Sequence, residues 1–469
     1  MPSKMILEKI HSEGLSHISY FLCHKGQAAV VDPRRDVQVY VDMAQSNGAT
    51  ITHIFETHKN EDYIIGSRDL ARRTEAEIYH GTGLEWGYGN TVDDGDSFEI
   101  GSMRLDILRT PGHTLDSISI ALIDTDFGEE PVGVFTGDAL FIGDVGRTDF
   151  YPDRREEVAG MLYDSIFDKL LPLGDHVLLY PAHGAGSVCG SGMAAREFSS
   201  LGYERQNNPA LQKTDRDEFV KFKANEQHTM PPYFKKMEEY NQHGSMPEMK
   251  ELPVPKAVNA QKLIQGRDEM NGQILDIREP EAFAGAFIPG AINIPLDMIP
   301  AYAGWLLEYD RPIGLVVSDP SQVETAVRYL IRMGYDDIRG YLPGGLHQWE
   351  TAGQKFNSIY TMTASQLKEQ LQQGRDLLIL DVRKPEVFES AHLEKAKNIF
   401  LGHLPDHLDE LPRDKPIVTF CGSGRRASIA ASILAANGFG YIFNNLGSMK
   451  ACMEVGCKSV MKGEKIGSA

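Results

Sequence analysis

No stretch of this 469-residue chain approaches the ~18 uninterrupted apolar residues of a membrane helix, which argues against a helical span. The segment Met1 to Ile10 lacks an apolar core long enough for a secretion signal. Cysteine is scarce: five residues, odd in number and widely spread, make a poor disulfide framework for a chain of this size. The expectation is a reducing, cytoplasmic compartment in which each thiol is either buried or chemical. Positive charge is also short. Lys and Arg total 47 against 66 Asp and Glu, a net charge of −19, and the basic residues are scattered. That excludes nucleic acid and anionic membrane as expected partners, because both need a basic face.

What is present fits a soluble globular protein: 42% apolar residues and three Trp. The length suggests about three domains. Residues 1–207 alternate short apolar runs with Gly, Pro and Asp turns. Ala28 to Val31, Ile51 to Phe55 and Gly133 to Thr136 read as strands, with helices over 36–47 and 155–171 between them. Residues 208–255 turn charged and helix-leaning and close in Pro-rich sequence, as an arm or linker does. The remainder repeats. Ile274-Leu275-Asp276-Ile277-Arg278 matches Ile379-Leu380-Asp381-Val382-Arg383, and Ala291 to Ile294 matches Ala396 to Ile399. A repeat of about a hundred residues is a duplicated domain, too long for a solenoid unit. Its copies are 256–357 and 358–469, and their strand-helix alternation predicts α/β sheets.

The second copy carries Cys421-Gly422-Ser423-Gly424-Arg425-Arg426 between an apolar strand and a helix expected from Arg426 to about Asn437. A loop of converging N–H groups at a helix N-terminus favours an anion, and a thiolate or a cysteine persulfide is one. Together with the Asp-Val-Arg strand end, His392 and Asn398, this loop resembles the rhodanese family of sulfurtransferases. The resemblance implies sulfane-sulfur transfer through Cys421 with Arg426, and substrate contacts from Gly422, Ser423, Gly424 and Arg425. In the first copy Val317 stands at the cysteine position, Phe287 replaces His392 and Asp319 brings the wrong charge, so the resemblance there extends to fold only. Cys452 and Cys457, five residues apart, carry no strong metal signature and read as structural.

Four segments of the N-terminal region place chemistry-bearing residues after strands: Thr57-His58-Lys59-Asn60-Glu61-Asp62-Tyr63, Thr110-Pro111-Gly112-His113, Thr136-Gly137-Asp138 and Pro181-Ala182-His183. Their order resembles the metallo-β-lactamase superfamily, whose first motif usually reads T-H-x-H-x-D-H. Here Asn60 and Tyr63 stand where the second and third histidines belong. Two imidazoles and a carboxylate, His58, His113 and Asp138, remain as a facial triad suited to non-haem Fe(II), one per chain. Asp62 and His183 are candidates for supporting hydrogen bonds or substrate contact. Gly146-Arg147-Thr148-Asp149-Phe150 resembles a stretch of the persulfide dioxygenase branch, which implies that Arg147 grips a substrate carboxylate, with an ion pair to Asp149 as the alternative. Cys189, in a C-G-S-G tetrapeptide shared with Cys421, is a candidate thiol near the metal edge.

The whole chain therefore resembles the bacterial persulfide dioxygenase–rhodanese fusions. The implied architecture is an αββα metallo-β-lactamase sandwich followed by two α/β rhodanese domains. The implied activity is oxidation of a low-molecular-weight thiol persulfide by O₂ to sulfite, coupled to thiosulfate formation at Cys421. A metal-dependent hydrolase of glyoxalase II type, or an inactive N-terminal platform on a sulfurtransferase, is the alternative. Association with further copies of the chain is left open.

Overall fold

A computed structural model describes residues 4–187, 190 and 192–461. The chain folds as two compact units, Met1–Leu252 with Ile331–Gly334, and Pro253–Leu330 with Tyr335–Ala469. Among the described residues, no helix is long and apolar enough to cross a membrane.

The first unit holds two sheets. One runs β1 (Ile6–Ser12), β2 (His17–His24), β3 (Gln27–Val31), β4 (Thr50–Glu56), β5 (Glu77–Gly81), β6 (Asn90–Val92), in that spatial order. The other holds β7 (Ser97–Ile100), β8 (Met103–Arg109), β9 (Ile118–Asp124), β10 (Pro131–Gly137) and β11 (Leu178–Pro181), in the order β11-β10-β9-β8-β7. Because side chains alternate along a strand, one strand feeds two cores. Tyr20 and Leu22 of β2, with Ala29 and Val31 of β3, pack between the sheets against Leu105, Ile120 and Phe135. Phe21, Cys23, Ala28 and Val30 face the other way, under Tyr40 and Ala44 of the helix Gln38–Ser46 and Leu70 of the helix Ser67–Thr74. Beyond the second sheet, Val134 and Leu179 meet Leu162 and Phe219 of the helices Arg155–Asp164 and Arg216–Ala224. The layers are αββα.

The helix expected over 155–171 breaks up. It is α-helical only over Arg155–Asp164, then takes a π-helical turn at Ser165–Leu170 and a 3₁₀ turn at Leu171–Leu173. Pro172 has no N–H to continue an α ladder. The segment after residue 207 is more than a linker. Phe219, Phe234 and Met237 are buried. From the helix Phe234–His243, Asn241 donates its side-chain amide to the carbonyls of Asn60 (2.6 Å) and Tyr63 (2.8 Å) and accepts the Ile65 N–H (3.1 Å). Of the two expectations for this segment, arm or linker, it packs as an arm and fixes the loop after β4.

In the second unit the first copy holds β12 (Lys256–Ala257), β13 (Gln273–Asp276), β14 (Ile292–Asn293), β15 (Ile313–Val316) and β16 (Ile338–Leu342) in the order β12-β16-β15-β13-β14. The second repeats that order with β17 (Tyr360–Thr363), β22 (Ile442–Leu446), β21 (Ile417–Phe420), β18 (Leu378–Asp381) and β20 (Lys397–Asn398), and β19 (Ala391–Leu393) pairs with β23 (Ser459–Met461) beside it. Both five-stranded sheets are parallel throughout. The duplication reaches single hydrogen bonds. Arg278 donates to Asp276 at 2.6 Å as Arg383 does to Asp381, and Asn293 and Asn398 each bridge two carbonyls at 2.9 Å.

Candidate functional site

The loop after β4 and the segments after β8, β10 and β11 meet at one edge of the sandwich. His58, His113, Asp138 and His183 are all buried there. Oδ2 of Asp138 lies 3.5 Å from Nε2 of His113 and 3.8 Å from Nε2 of His58. Two ligands each about 2.1 Å from an ion lie about 3–3.5 Å apart, so the three atoms surround a space of metal size. Nδ1 of His113 is 3.0 Å from the Arg147 carbonyl, an acceptor only. That contact places the ring proton on Nδ1 and turns the lone pair of Nε2 toward Asp138. Nε2 of His58 and Oδ2 of Asp138 are buried without a hydrogen-bond partner. Buried polar atoms left so are costly, and a cation between them removes the cost. The residues fit a metal ion.

A fourth side chain belongs to the group. Oε1 of Glu61 is 3.1 Å from Nε2 of His113, and the ligand atoms of His58, Glu61 and His113 all lie within 4.8 Å of one another. Glu61 occupies a motif position to which the family pattern assigns no residue, so the sequence reading passed over it. Asp32, also unflagged, fixes the approach: it accepts the Thr57 N–H and hydroxyl, both at 2.7 Å, and the Thr57 hydroxyl lies 2.9 Å from Nδ1 of His58. A side chain at Gly137, whose φ is +53°, would meet the Thr57 hydroxyl at 2.6 Å. The glycine before Asp138 thus lets the two ligand-bearing turns touch.

The residues that would serve a second metal lie within ion-pair distance of one another. Nδ1 of His183 is 2.7 Å from Oδ1 of Asp138, and its Nε2 is 3.0 Å from Oδ2 of Asp62. Asn60 is buried and donates to the His58 carbonyl at 3.1 Å. Burial works against charge here, but mutual attraction prevails: Asp138 stays well below the ordinary carboxyl range beside His183, His58 and His113, and His183 is raised well above its ordinary value by Asp138 and Asp62. A cleft of about 370 Å³ adjoins this side of the group, with His17, His183, Lys9, His11, Ser16 and Arg196 among its walls.

Arg147 is fully buried, paired with Asp149 through two hydrogen bonds of 2.7 and 2.9 Å, and its guanidinium lies over Phe150 (4.9 Å) and Phe234 (5.8 Å). Of the two expectations for Arg147, the ion pair to Asp149 is the one formed here. Cys189 lies outside the described residues.

In the second unit Cys421 follows β21 and is fully buried. Its sulfur accepts the Gly424 N–H at 3.1 Å, and its own N–H is donated to the Ser448 hydroxyl at 3.1 Å. Gly424, at φ +99°, turns the chain into the helix Arg425–Ala436, one residue earlier than expected. Arg426 lies over the loop, since a Cβ at Gly422 would come within 3.3 Å of its Nη2, while Ser423 is exposed. Arg425 does not lend its charge to the cradle: its guanidinium is held by Glu279 at 2.8 Å and Asp297 at 2.5 Å. In the first copy Val317 is buried and Phe287 stacks on Phe283 at 4.4 Å, where His392 stacks on Phe388 at 4.0 Å. Cys452 and Cys457 are buried free thiols, and burial and the neighbouring Cys457 push Cys452 up.

Residues 13–183 match the model of the metallo-beta-lactamase superfamily, and residues 259–352 and 363–454 each match that of the rhodanese-like domain. Human mitochondrial persulfide dioxygenase ETHE1 is 30% identical over 42% of this chain and 72% of its own length. A hydroxyacylglutathione hydrolase of Rhodospirillum rubrum is 33% identical over 34% of this chain and 57% of its own. A solved metallo-beta-lactamase from Staphylococcus aureus is 35% identical, with a TM-score of 0.64 over 73% of this chain and 99% of that one.

Proposed function

Since the chain belongs to the metallo-β-lactamase superfamily, with persulfide dioxygenases among its relatives and two rhodanese-like domains behind that fold, we propose that it detoxifies persulfides in two steps. In the first, a low-molecular-weight thiol persulfide such as glutathione persulfide, with O₂ and water, gives the free thiol, sulfite and two protons. In the second, the Cys421 thiolate takes the outer sulfur of another persulfide, releases its thiol, and passes that sulfur to sulfite as thiosulfate.

One observation carries the first step. Nε2 of His58 and Oδ2 of Asp138, both without a hydrogen-bond partner among the described residues, face one space beside Nε2 of His113, whereas Oδ1 of Asp138 is taken by Nδ1 of His183 at 2.7 Å. That supports one metal per chain, and two imidazoles with a carboxylate suit Fe(II). Fe(II) held by His58, His113 and Asp138 would supply binding of the substrate sulfur and activation of O₂. The protein's own part is to hold that triad dry and fixed. His113 is oriented by the Arg147 carbonyl, His58 by Thr57 and Asp32, and Glu61 is a further carboxylate for the ion or for a proton on the leaving thiol.

A two-metal hydrolase reading has one observation in its favour, the retention of Asp62 and His183 facing Asp138. It lacks imidazoles at positions 60 and 63, and hydrolysis by a binuclear site needs both ions held. Metal content measured together with oxygen uptake separates the readings. One iron per chain with persulfide-dependent uptake supports dioxygenation. Two zincs with thioester hydrolysis support the hydrolase, and no uptake in iron-loaded protein supports an inactive platform. Joining both steps in one chain raises the effective concentration of sulfite near Cys421.

A further inference from the structure

The two rhodanese-like copies share single hydrogen bonds, yet the copy without a cysteine carries two acids that the other lacks. Glu279 follows Arg278 where Lys384 follows Arg383, and Asp297, three residues after Ile294, stands where Gly402 follows Ile399 by three. Glu279 precedes the helix Pro280–Gly285, and Asp297 lies in the 3₁₀ turn Leu296–Met298. Both acids meet the copy that holds Cys421. Arg425 donates to Oε2 of Glu279 at 2.8 Å and to Oδ1 of Asp297 at 2.5 Å.

The contact that carries them is held from a buried centre. Oδ1 of Asn293 accepts the Ser428 hydroxyl at 2.9 Å, and the Asn293 N–H is donated to the Ser432 hydroxyl at 3.0 Å, all three residues being buried. Trp305 adds ring contacts at 5.3 Å with both Phe400 and His403. Arg425 opens the helix Arg425–Ala436 and directly follows Gly424, whose N–H is donated to the Cys421 sulfur at 3.1 Å. Glu279 and Asp297 thus set two negative charges against a loop edge that holds the positive charges of Arg425 and Arg426. The two acids are exposed. Exposed ion pairs add little to stability, whereas charges at the edge of a site change which charged ligands it takes.

We propose that Glu279 and Asp297 are specificity-determining residues of the sulfur-transfer site: by neutralising Arg425 they disfavour thiosulfate as sulfur donor and leave glutathione persulfide preferred. The copy without a nucleophile then selects the donor for the copy that has one. The proposal rests on the sulfur-transfer reading of Cys421. With either donor, the Cys421 thiolate attacks the outer sulfur, one S–S bond forms as the other breaks, and glutathione thiolate or sulfite leaves with the electron pair. Thiosulfate carries both of its negative charges on the sulfur that moves and on the sulfonate bonded to it. The carboxylates of glutathione persulfide lie several bonds further away. Attraction falls with distance, so neutralising Arg425 costs thiosulfate more.

The test is steady-state sulfur transfer to cyanide by the full-length chain at low ionic strength, with thiosulfate and then glutathione persulfide as donor. Wild type is compared with the double variant Glu279→Gln, Asp297→Asn and with Arg425→Gln. Freeing a guanidinium for a charged ligand predicts roughly a tenfold fall in KM for thiosulfate in the double variant, and Arg425→Gln raises it instead. Both shifts shrink in about 1 M salt, where screening acts within about 3 Å. KM for glutathione persulfide stays within about twofold throughout. An unchanged KM for thiosulfate in the double variant overturns the proposal. So do shifts of the same sign in the two variants, or equal shifts with both donors, because loss of a merely structural contact acts alike in each. A wild-type chain that transfers sulfur from neither donor overturns the underlying reading and the proposal with it.

Discussion

The hydroxyl of Tyr63 lies 2.8 Å from Nε2 of His17. Their rings are tilted at 4.1 Å, and the Ser12 hydroxyl holds the other His17 nitrogen at 2.9 Å. Burial and the nearby His183 keep His17 well below its ordinary value, hence neutral, and burial raises Tyr63, hence un-ionised. A neutral hydrogen-bonded pair stands where the family pattern has a metal-binding histidine.

Restoring that pattern should therefore change metal number. The double variant Asn60→His, Tyr63→His is expected to bind a second ion, which elemental analysis after metal loading would show as a shift from one toward two per chain. Persulfide-dependent oxygen uptake is expected to fall, as the ligand positions open to O₂ are redistributed. A variant that still holds one ion would mean that Asp62 and His183 are committed elsewhere.

Glu61→Gln keeps the shape of the side chain and removes its charge beside His113. Changing a charged partner of a metal ligand commonly costs about 10–100-fold in metal affinity. The expected result is about tenfold weaker iron retention in chelator competition. Unaltered retention would leave Glu61 a proton carrier rather than part of the ion's surroundings.

The Arg147–Asp149 pair predicts a pH-dependent stability. Burial alone would raise Asp149, but Arg147 outweighs it and holds the carboxyl below its ordinary 3.8. A depressed folded value means the contribution is fully present above the unfolded value and is lost as pH falls through the folded one. Breaking a buried pair costs about 3 kcal/mol or more. Asp149→Asn should thus lower the midpoint of thermal unfolding at pH 7, and the gap to wild type should close below about pH 4. A gap that persists in acid would trace the loss to packing around Phe150 and Phe234.

Cys421→Ser should abolish thiosulfate formation and leave oxygen uptake within about twofold of wild type, with sulfite accumulating instead. Ion chromatography of the products checks this. Loss of both activities would contradict the division of labour between the two units.

The gathering of His58, His113 and Asp138 was legible because each follows a strand inside a short recurrent pattern, and such patterns fix where a side chain can go. Its supports were not. Asp32 acts through Thr57 across 25 residues, and Asn241 reaches the same loop across 181. Partners that distant leave no local spacing to read. Glu61 sat inside the motif, but an acidic residue in a loop is ordinarily solvated, and only its burial beside His113 gives it away. The arm at 208–255 was legible as an arm or linker but not in its packing, for a related reason: a few buried aromatics decide that packing, while its many charged residues dominate its composition. Arg425 and Arg426 are adjacent and chemically alike. The carboxylates of the first copy separate their roles, and those lie more than a hundred residues away.

The most direct test is to count metal and oxygen on one preparation. The chain would be loaded anaerobically with Fe(II), analysed for metal, and then given glutathione persulfide in an oxygen electrode. The account predicts one iron per chain, one O₂ consumed per persulfide, sulfite as product, and loss of both iron and uptake in His113→Ala. Two ions per chain with no oxygen consumed would contradict it.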